Sequence, residues 1–348
     1  MSSVEKQRQE LIRSLFLKGI PALWCPPITH YSDDGSIDFP RMSAHFAFMS
    51  PHVKGVLIPG STGDGWELNE EETLALAQWA IEQGRASGTS ILLGVLRTQT
   101  EEMLATLQTM LALIRQTTGV YDPHEALAAA GVCGFALCPP RGNGLSQQQI
   151  ETGFARVLDE GLPIALYQLP QVTENEVSPE TFAALVERYP NLIMVKDTSG
   201  EDRIVPSSAP RENVFFVRGA EGAYARWLKG TGGVYDGFLL SSANSFPAQL
   251  AAIVRDIEGE RLDAARATSE GVAAVIREVF ALVQPFPHGN AFANANKAID
   301  LFNAYGPSAN RAEPPMLHAG VRLPKEVITA TGEILARHGL LPAKGYLG

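Results

Sequence analysis

The sequence has little of what would signal a metal, a disulfide or a membrane. Its three cysteines, Cys25, Cys133 and Cys138, sit in or beside apolar runs and form no paired framework, which favours a reducing, intracellular setting. Seven histidines are scattered without a spacing such as H-E-x-x-H, so no metal is expected. No apolar run reaches the length of a membrane span, and the first ten residues are too polar for a signal peptide. A cytoplasmic protein with no membrane partner is the expectation. Positive charge is also scarce: 28 Lys and Arg against 38 Asp and Glu give a net charge of −10. That balance disfavours nucleic acid, which rewards a basic face. Two phosphate-binding signatures are missing as well. No G-x-G-x-x-G follows the first apolar run, and Gly60-Ser-Thr-Gly-Asp-Gly65 lacks the G-K-[ST] ending of a Walker loop. No cofactor is implied.

What is present is apolar and regularly spaced. Hydrophobic residues make up 45% of the 348, enough for a large core. Short apolar runs at Ile20–Cys25, Gly55–Pro59, Ile91–Val95, Gly134–Cys138, Pro163–Tyr167, Leu192–Lys196, Val214–Arg218 and Gly233–Leu240 read as strands. Helical patterns separate them. Asn69 with Glu72 makes a capping box before one helix, and Ser178-Pro179 opens another. Eight strands alternating with helices predict an α/β protein, a (β/α)8 TIM barrel. The division expected is an N-terminal helical extension over 1–18, the barrel over 19–250 and a C-terminal helical region over 251–348. Extra length stands around Thr117–His124, and a smaller insertion around Tyr235–Phe238.

The sixth run carries the chemistry. Asn191-Leu-Ile-Met-Val-Lys196 leads into Asp197-Thr-Ser-Gly200, so Lys196 ends a strand buried on both faces. Burial there lowers a lysine's pKa and frees a nucleophilic amine. The plainer alternative is a lysine that leans out to pair with Asp197. In a barrel, residues at the C-terminal ends of strands share one mouth. Ser61 and Thr62, Arg97, Arg141, Tyr167, Lys196, Arg218 and Glu221 hold such positions. A lysine, a tyrosine and small hydroxyls together suit Schiff-base chemistry on a 2-oxo acid.

The chain resembles the dihydrodipicolinate synthase/N-acetylneuraminate lyase family. Gly60-Ser-Thr-Gly-Asp64, Leu166-Tyr-Gln-Leu-Pro170 and Val195-Lys-Asp-Thr-Ser-Gly200 carry the likeness, in the family's order. It implies that Lys196 forms the Schiff base and that Tyr167 shuttles protons. It also implies that Ser61 and Thr62 hold a pyruvate-type carboxylate, which Gly60 and Gly63 let approach. The family further implies a homo-oligomer, a dimer or tetramer.

Departures bear on the substrate. Val172 stands where dihydrodipicolinate synthases carry an arginine for a second carboxylate, and Pro139-Pro-Arg141-Gly replaces their tyrosine pair. Arg141 and Glu221 are therefore the expected contacts for a hydroxylated 2-oxo acid. The reading is a pyruvate-dependent aldolase or a 3-deoxy-2-oxo sugar acid dehydratase. True 4-hydroxy-tetrahydrodipicolinate synthase activity and a non-catalytic binding homologue are the alternatives.

Overall fold

The apolar runs pair side by side in a computed structural model of the chain, which describes residues 2–205 and 213–348. The strands are β1 (Leu23–Cys25), β2 (Gly55–Ile58), β3 (Ser90–Val95), β4 (Val132–Leu137), β5 (Ile164–Gln168), β6 (Leu192–Asp197), β7 (Phe215–Arg218) and β8 (Gly237–Leu239). All pair in parallel, and β8 returns to β1, so the sheet closes into an eight-stranded barrel. The expected fold class stands.

The helices are α1 (Ser3–Leu15), α2 (Phe39–Met49), α3 (Glu70–Ser87), α4 (Thr100–Thr118), α5 (Pro123–Ala130), α6 (Gln147–Leu158), the single turn α7 (Pro170–Thr173), α8 (Pro179–Arg188), the single turn α9 (Tyr224–Trp227), α10 (Pro247–Glu258), α11 (Leu262–Val283), α12 (Ala291–Tyr305) and α13 (Lys325–Arg337). Their ends follow local chemistry. Asn69 and Glu72 exchange the two hydrogen bonds of a capping box at α3, and Gly88 ends that helix at φ 69°. The extra length before β4 is the end of α4 plus α5, which Asp122 caps. Among the described residues, no helix is long and apolar enough to cross a membrane.

Inside the barrel lie Trp24, Leu57, Leu92, Ala136, Ala165, Met194, Val217 and Leu239. One end is shut. Phe16, just past α1, meets Trp24 edge to face at 6.2 Å, and Leu11, Ile12 and Leu15 pack on the same cluster. Arg8 of α1 is fully buried and donates to the carbonyls of Val186, Tyr189 and Leu192, so backbone dipoles offset part of the cost of burying its charge. The other end, where the strands finish, carries the loops. There α12 reaches in from the C-terminal helices and contacts the turn Ser61–Gly63.

Candidate active site

Strand register sets the centre of the site. Tyr167 on β5 pairs with Lys196 on β6, so the two side chains stand next to each other. The Lys196 Nζ lies 3.8 Å from the centre of the Tyr167 ring, and both residues are buried. Among the described residues no carboxylate comes within ion-pair distance of Nζ. The plainer alternative fails here, because Asp197 turns back to accept from Ser199 N and Oγ at 2.9 and 2.6 Å. Burial pushes the Lys196 pKa from 10.5 down to about 7, with Cys138, Cys25 and Glu221 acting the other way. A substantial fraction of the amine is thus neutral near pH 7. Burial is also the main reason that the Tyr167 phenol is held well above its ordinary pKa, while Ser61 and Thr198 favour ionisation.

Gly219, just past β7, makes room for the lysine. A Cβ there would stand 3.1 Å from Lys196 Cε and 2.3 Å from Thr198 Oγ1. The Thr198 hydroxyl is buried near the Tyr167 phenol, and among the described residues no group meets it in full hydrogen-bond geometry.

The turn after β2 supplies the hydroxyls. Ser61 Oγ lies 3.1 Å from the Tyr167 hydroxyl, and Thr62 is buried beside it. Gly60 and Gly63 are glycines for a packing reason. A Cβ at Gly60 would lie 2.6 Å from Pro26 Cβ, and one at Gly63 would lie 2.4 Å from the Pro27 carbonyl. The loop after β1 therefore rests directly on this turn.

The remaining mouth residues divide. Glu221 points to the barrel end, where its two oxygens accept from Ser241 Oγ, Ser242 N, Ser242 Oγ and Tyr224 Oη at 2.6–2.9 Å. That carboxylate is held rather than free. Arg141 is fixed by its backbone, which donates to Thr98 O, while its side chain forms a half-exposed ion pair with Glu174. Val172 packs as an apolar wall on the inner cluster. Arg97 donates to its neighbouring carbonyl, Leu96 O. Arg218 does not serve the mouth. It is bound by Asp202 through Nε and Nη2 at 3.0 and 3.1 Å and lies over Trp227, behind the strands.

Several participants are not visible in any motif. Trp66 donates from Nε1 to Ser61 Oγ at 2.8 Å. Asn290, ahead of α12, donates to the Ser61 carbonyl at 3.0 Å. Lys297 on α12 is buried and bonds Asp64 at 2.7 Å. Lys297, with the proline-containing stretch that follows it, resembles the C-terminal helical segment of the family named above. The other two depend on a loop geometry that spacing does not encode.

Comparison with known proteins agrees with this geometry. The model of the dihydrodipicolinate synthetase family matches residues 117–295, more than half of the chain. The 4-hydroxy-tetrahydrodipicolinate synthase of Agrobacterium fabrum is 28% identical over 236 residues, covering 67% of this chain and 72% of that protein. Two solved structures share the fold. YagE, an E. coli K12 prophage protein in complex with pyruvate, has a TM-score of 0.70 at 20% identity, covering 92% of this chain and 100% of its own. The Sulfolobus sulfataricus 2-keto-3-deoxygluconate aldolase, in complex with D-KDPG, gives 0.67 at 17% identity, covering 92% of this chain and 99% of its own. With a buried strand-end lysine, the neighbouring tyrosine and the Ser-Thr turn all in the expected order, the chain belongs to the dihydrodipicolinate synthetase family.

Proposed function

We propose that this class I Schiff-base lyase cleaves or forms a carbon–carbon bond next to C3 of a hydroxylated 2-oxo acid. The observation that carries the reading is Lys196: a buried amine with no carboxylate partner among the described residues, held against Tyr167. In the cleavage direction the neutral amine attacks the C2 carbonyl, and the C2 oxygen leaves as water with the proton that Tyr167 gives up, leaving an iminium and a phenolate. Tyr167 takes the proton of the C4 hydroxyl as the C3–C4 bond breaks. The electron pair moves into the enamine and an aldehyde departs. Tyr167 then returns the proton to C3, and water releases pyruvate from the lysine. Gly63 and Gly65 spend their amides on Gly60 O, so the substrate carboxylate falls to Ser61 and Thr62. A dehydratase would pass through the same iminium and enamine and lose a hydroxyl instead.

Specificity is the finer part. A charged side chain at residue 172 would grip a second carboxylate, and Val172 cannot. Losing such a charge-assisted contact costs about 1.5–3 kcal/mol. Arg141, on a loop pinned across the mouth, is the proposed contact for the far hydroxyls. Glu221, held by four donors, is proposed to act through its charge and by orienting Ser241 and Ser242. The curated relative's name supports a second reading, 4-hydroxy-tetrahydrodipicolinate synthase. Steady-state kinetics separate the two. Pyruvate with aspartate semialdehyde should react poorly, and a 3-deoxy-2-oxo sugar acid should give the higher kcat/KM. The reverse order would select the synthase.

Borohydride trapping with pyruvate, followed by peptide mapping, tests the mechanism itself. An adduct on Lys196 is expected, and one on another lysine would sink it. Assembly as a homo-oligomer is proposed from the family likeness. Light scattering that gives a monomer mass at micromolar concentration would count against it.

A further inference from the structure

Ser61 Oγ has two polar neighbours among the described residues, Tyr167 Oη at 3.1 Å and Trp66 Nε1 at 2.8 Å. The indole N–H only donates, so Ser61 Oγ must accept from Trp66. Ser61 Oγ could accept a second time, but accepting from Trp66 polarises its O–H toward donation, and among the described residues Tyr167 Oη is the acceptor within reach of that hydrogen. The phenol, accepting from Ser61, keeps its own hydrogen for a group on the lysine side. We propose that Trp66 is a positioning residue that sets the direction of this relay, Trp66 to Ser61 to Tyr167 to substrate.

The backbone is built to hold that arrangement. Asp64, at φ 59°, turns the chain so that Trp66 folds back on Ser61, and Gly65 N closes onto Gly60 O at 3.0 Å. Lys297 fixes the Asp64 carboxylate, and Asn290 fixes the Ser61 carbonyl. The indole itself packs on the inner apolar cluster, so it is anchored on one side and polar only at its N–H. Without that N–H the polarisation is lost, and Ser61 accepts from Tyr167 as readily as it donates to it. Whenever it accepts, the phenol's hydrogen is spent on Ser61 and is withheld from the substrate. A directed chain of donors also strengthens each bond toward the phenolate that forms when Tyr167 gives up its proton.

The proposal rests on Tyr167 as the proton carrier, and the test separates the two ideas. Pyruvate bound as the enamine exchanges its methyl hydrogens with D2O, which NMR follows directly. Borohydride trapping reports the imine alone. Trp66→Phe keeps the ring and removes the N–H. It should trap pyruvate on Lys196 to the wild-type extent while exchange slows roughly tenfold or more. Tyr167→Phe should slow exchange further. Slow exchange in Tyr167→Phe with wild-type exchange in Trp66→Phe overturns the role of Trp66 and leaves Tyr167 standing. Wild-type exchange in Tyr167→Phe overturns the Tyr167 reading instead. Loss of trapping in Trp66→Phe would make the indole a support for the pocket's shape and would also overturn the proposal.

Discussion

Two lysines are buried at the same end of this barrel, and they are treated in opposite ways. Lys297 is 1% exposed and its ammonium sits 2.7 Å from Asp64, over the Tyr31 ring at 4.8 Å. Lys196 is 4% exposed and has an aromatic face but, among the described residues, no carboxylate partner. A buried ammonium is tolerated when a counter-charge answers it, and otherwise loses its proton readily. On the proposed mechanism the protein uses one lysine as a strut and the other as its nucleophile. The strut serves the reactive site, because Asp64 belongs to the turn that carries Ser61 and Trp66. What separates them is the partner, not burial.

The largest expected effect tests the reactive one. Lys196→Arg keeps a positive charge but cannot form an imine, so activity should fall by at least about a thousandfold. Circular dichroism should remain that of the wild type. Measurable turnover above one hundredth of wild type would mean that Lys196 is not the nucleophile. Lys196→Met should be equally inactive yet melt at a higher temperature. Holding a charged lysine where its pKa drops from 10.5 to about 7 costs on the order of 5 kcal/mol, and a thioether there costs nothing comparable.

Lys297 should behave in the reverse sense. Lys297→Met leaves the Asp64 carboxylate buried without its counter-charge, a loss of about 3–5 kcal/mol. Urea denaturation measures it, and Lys297→Met with Asp64→Asn should recover much of the loss. If the single substitution is as stable as wild type, the strut reading is wrong. Because the double variant removes both charges, its remaining defect in activity reports how far the Ser61 turn depends on the pair.

Lys196 also predicts a response to pH. The imine needs neutral Lys196, so kcat/KM should fall about tenfold per pH unit below roughly 7 and level off above it. For stability the sign follows from the depressed folded pKa. Between about 7 and 10.5 the unfolded chain binds more protons at this residue than the folded chain. The Lys196 penalty is thus fully present below 7 and is relieved as pH rises toward 10.5. Lys196→Met should flatten that slope. An acid limb more than about a unit and a half away from 7 in the wild type would mean that burial does not set this amine's chemistry.

The sequence made the barrel and half of the site legible, for a definable reason. Strand runs, caps and the strand-end positions of Lys196 and Tyr167 are local patterns, and a parallel barrel converts strand ends into neighbours. The same rule misplaced Arg218. It is the last residue of its strand but pairs with Asp197 rather than Lys196, so it faces away from the mouth, where Asp202 meets it. The helix α1 was legible as a helix, whereas its use of Arg8 against the carbonyls of Val186, Tyr189 and Leu192 was not. Trp66, Asn290 and the Asp64 partner of Lys297 were equally out of reach. Each depends on chain segments meeting through turns, for which spacing holds no period. Glycine was legible as a turn residue at Gly60 and Gly63, but the neighbours that require it, Pro26 and Pro27, lie more than thirty residues earlier.

A third ion pair extends the comparison to the surface, where the smallest effect is expected. Arg141 and Glu174 are bonded, yet their side chains are 50% and 44% exposed. Pairs of this kind contribute about 0–1 kcal/mol and weaken with salt, so Glu174→Gln should change stability by less than about 1 kcal/mol. The backbone on either side stays pinned in any case, since Arg141 N donates to Thr98 O and Asn175 Nδ2 to Pro140 O. The guanidinium would then be released without moving its loop. If Arg141 grips the far end of the substrate as proposed, the freed side chain should lower KM for a 3-deoxy-2-oxo sugar acid by roughly two- to fivefold, the equivalent of about 0.5–1 kcal/mol. Trapping of pyruvate itself, which does not reach that far, should be unchanged. Arg141→Ala gives the opposite sign, a raised KM for the long substrate with normal trapping. If neither variant moves KM for any long 2-oxo acid, Arg141 stands outside the binding site. Specificity then rests on the apolar wall at Val172 and the serines that Glu221 orients.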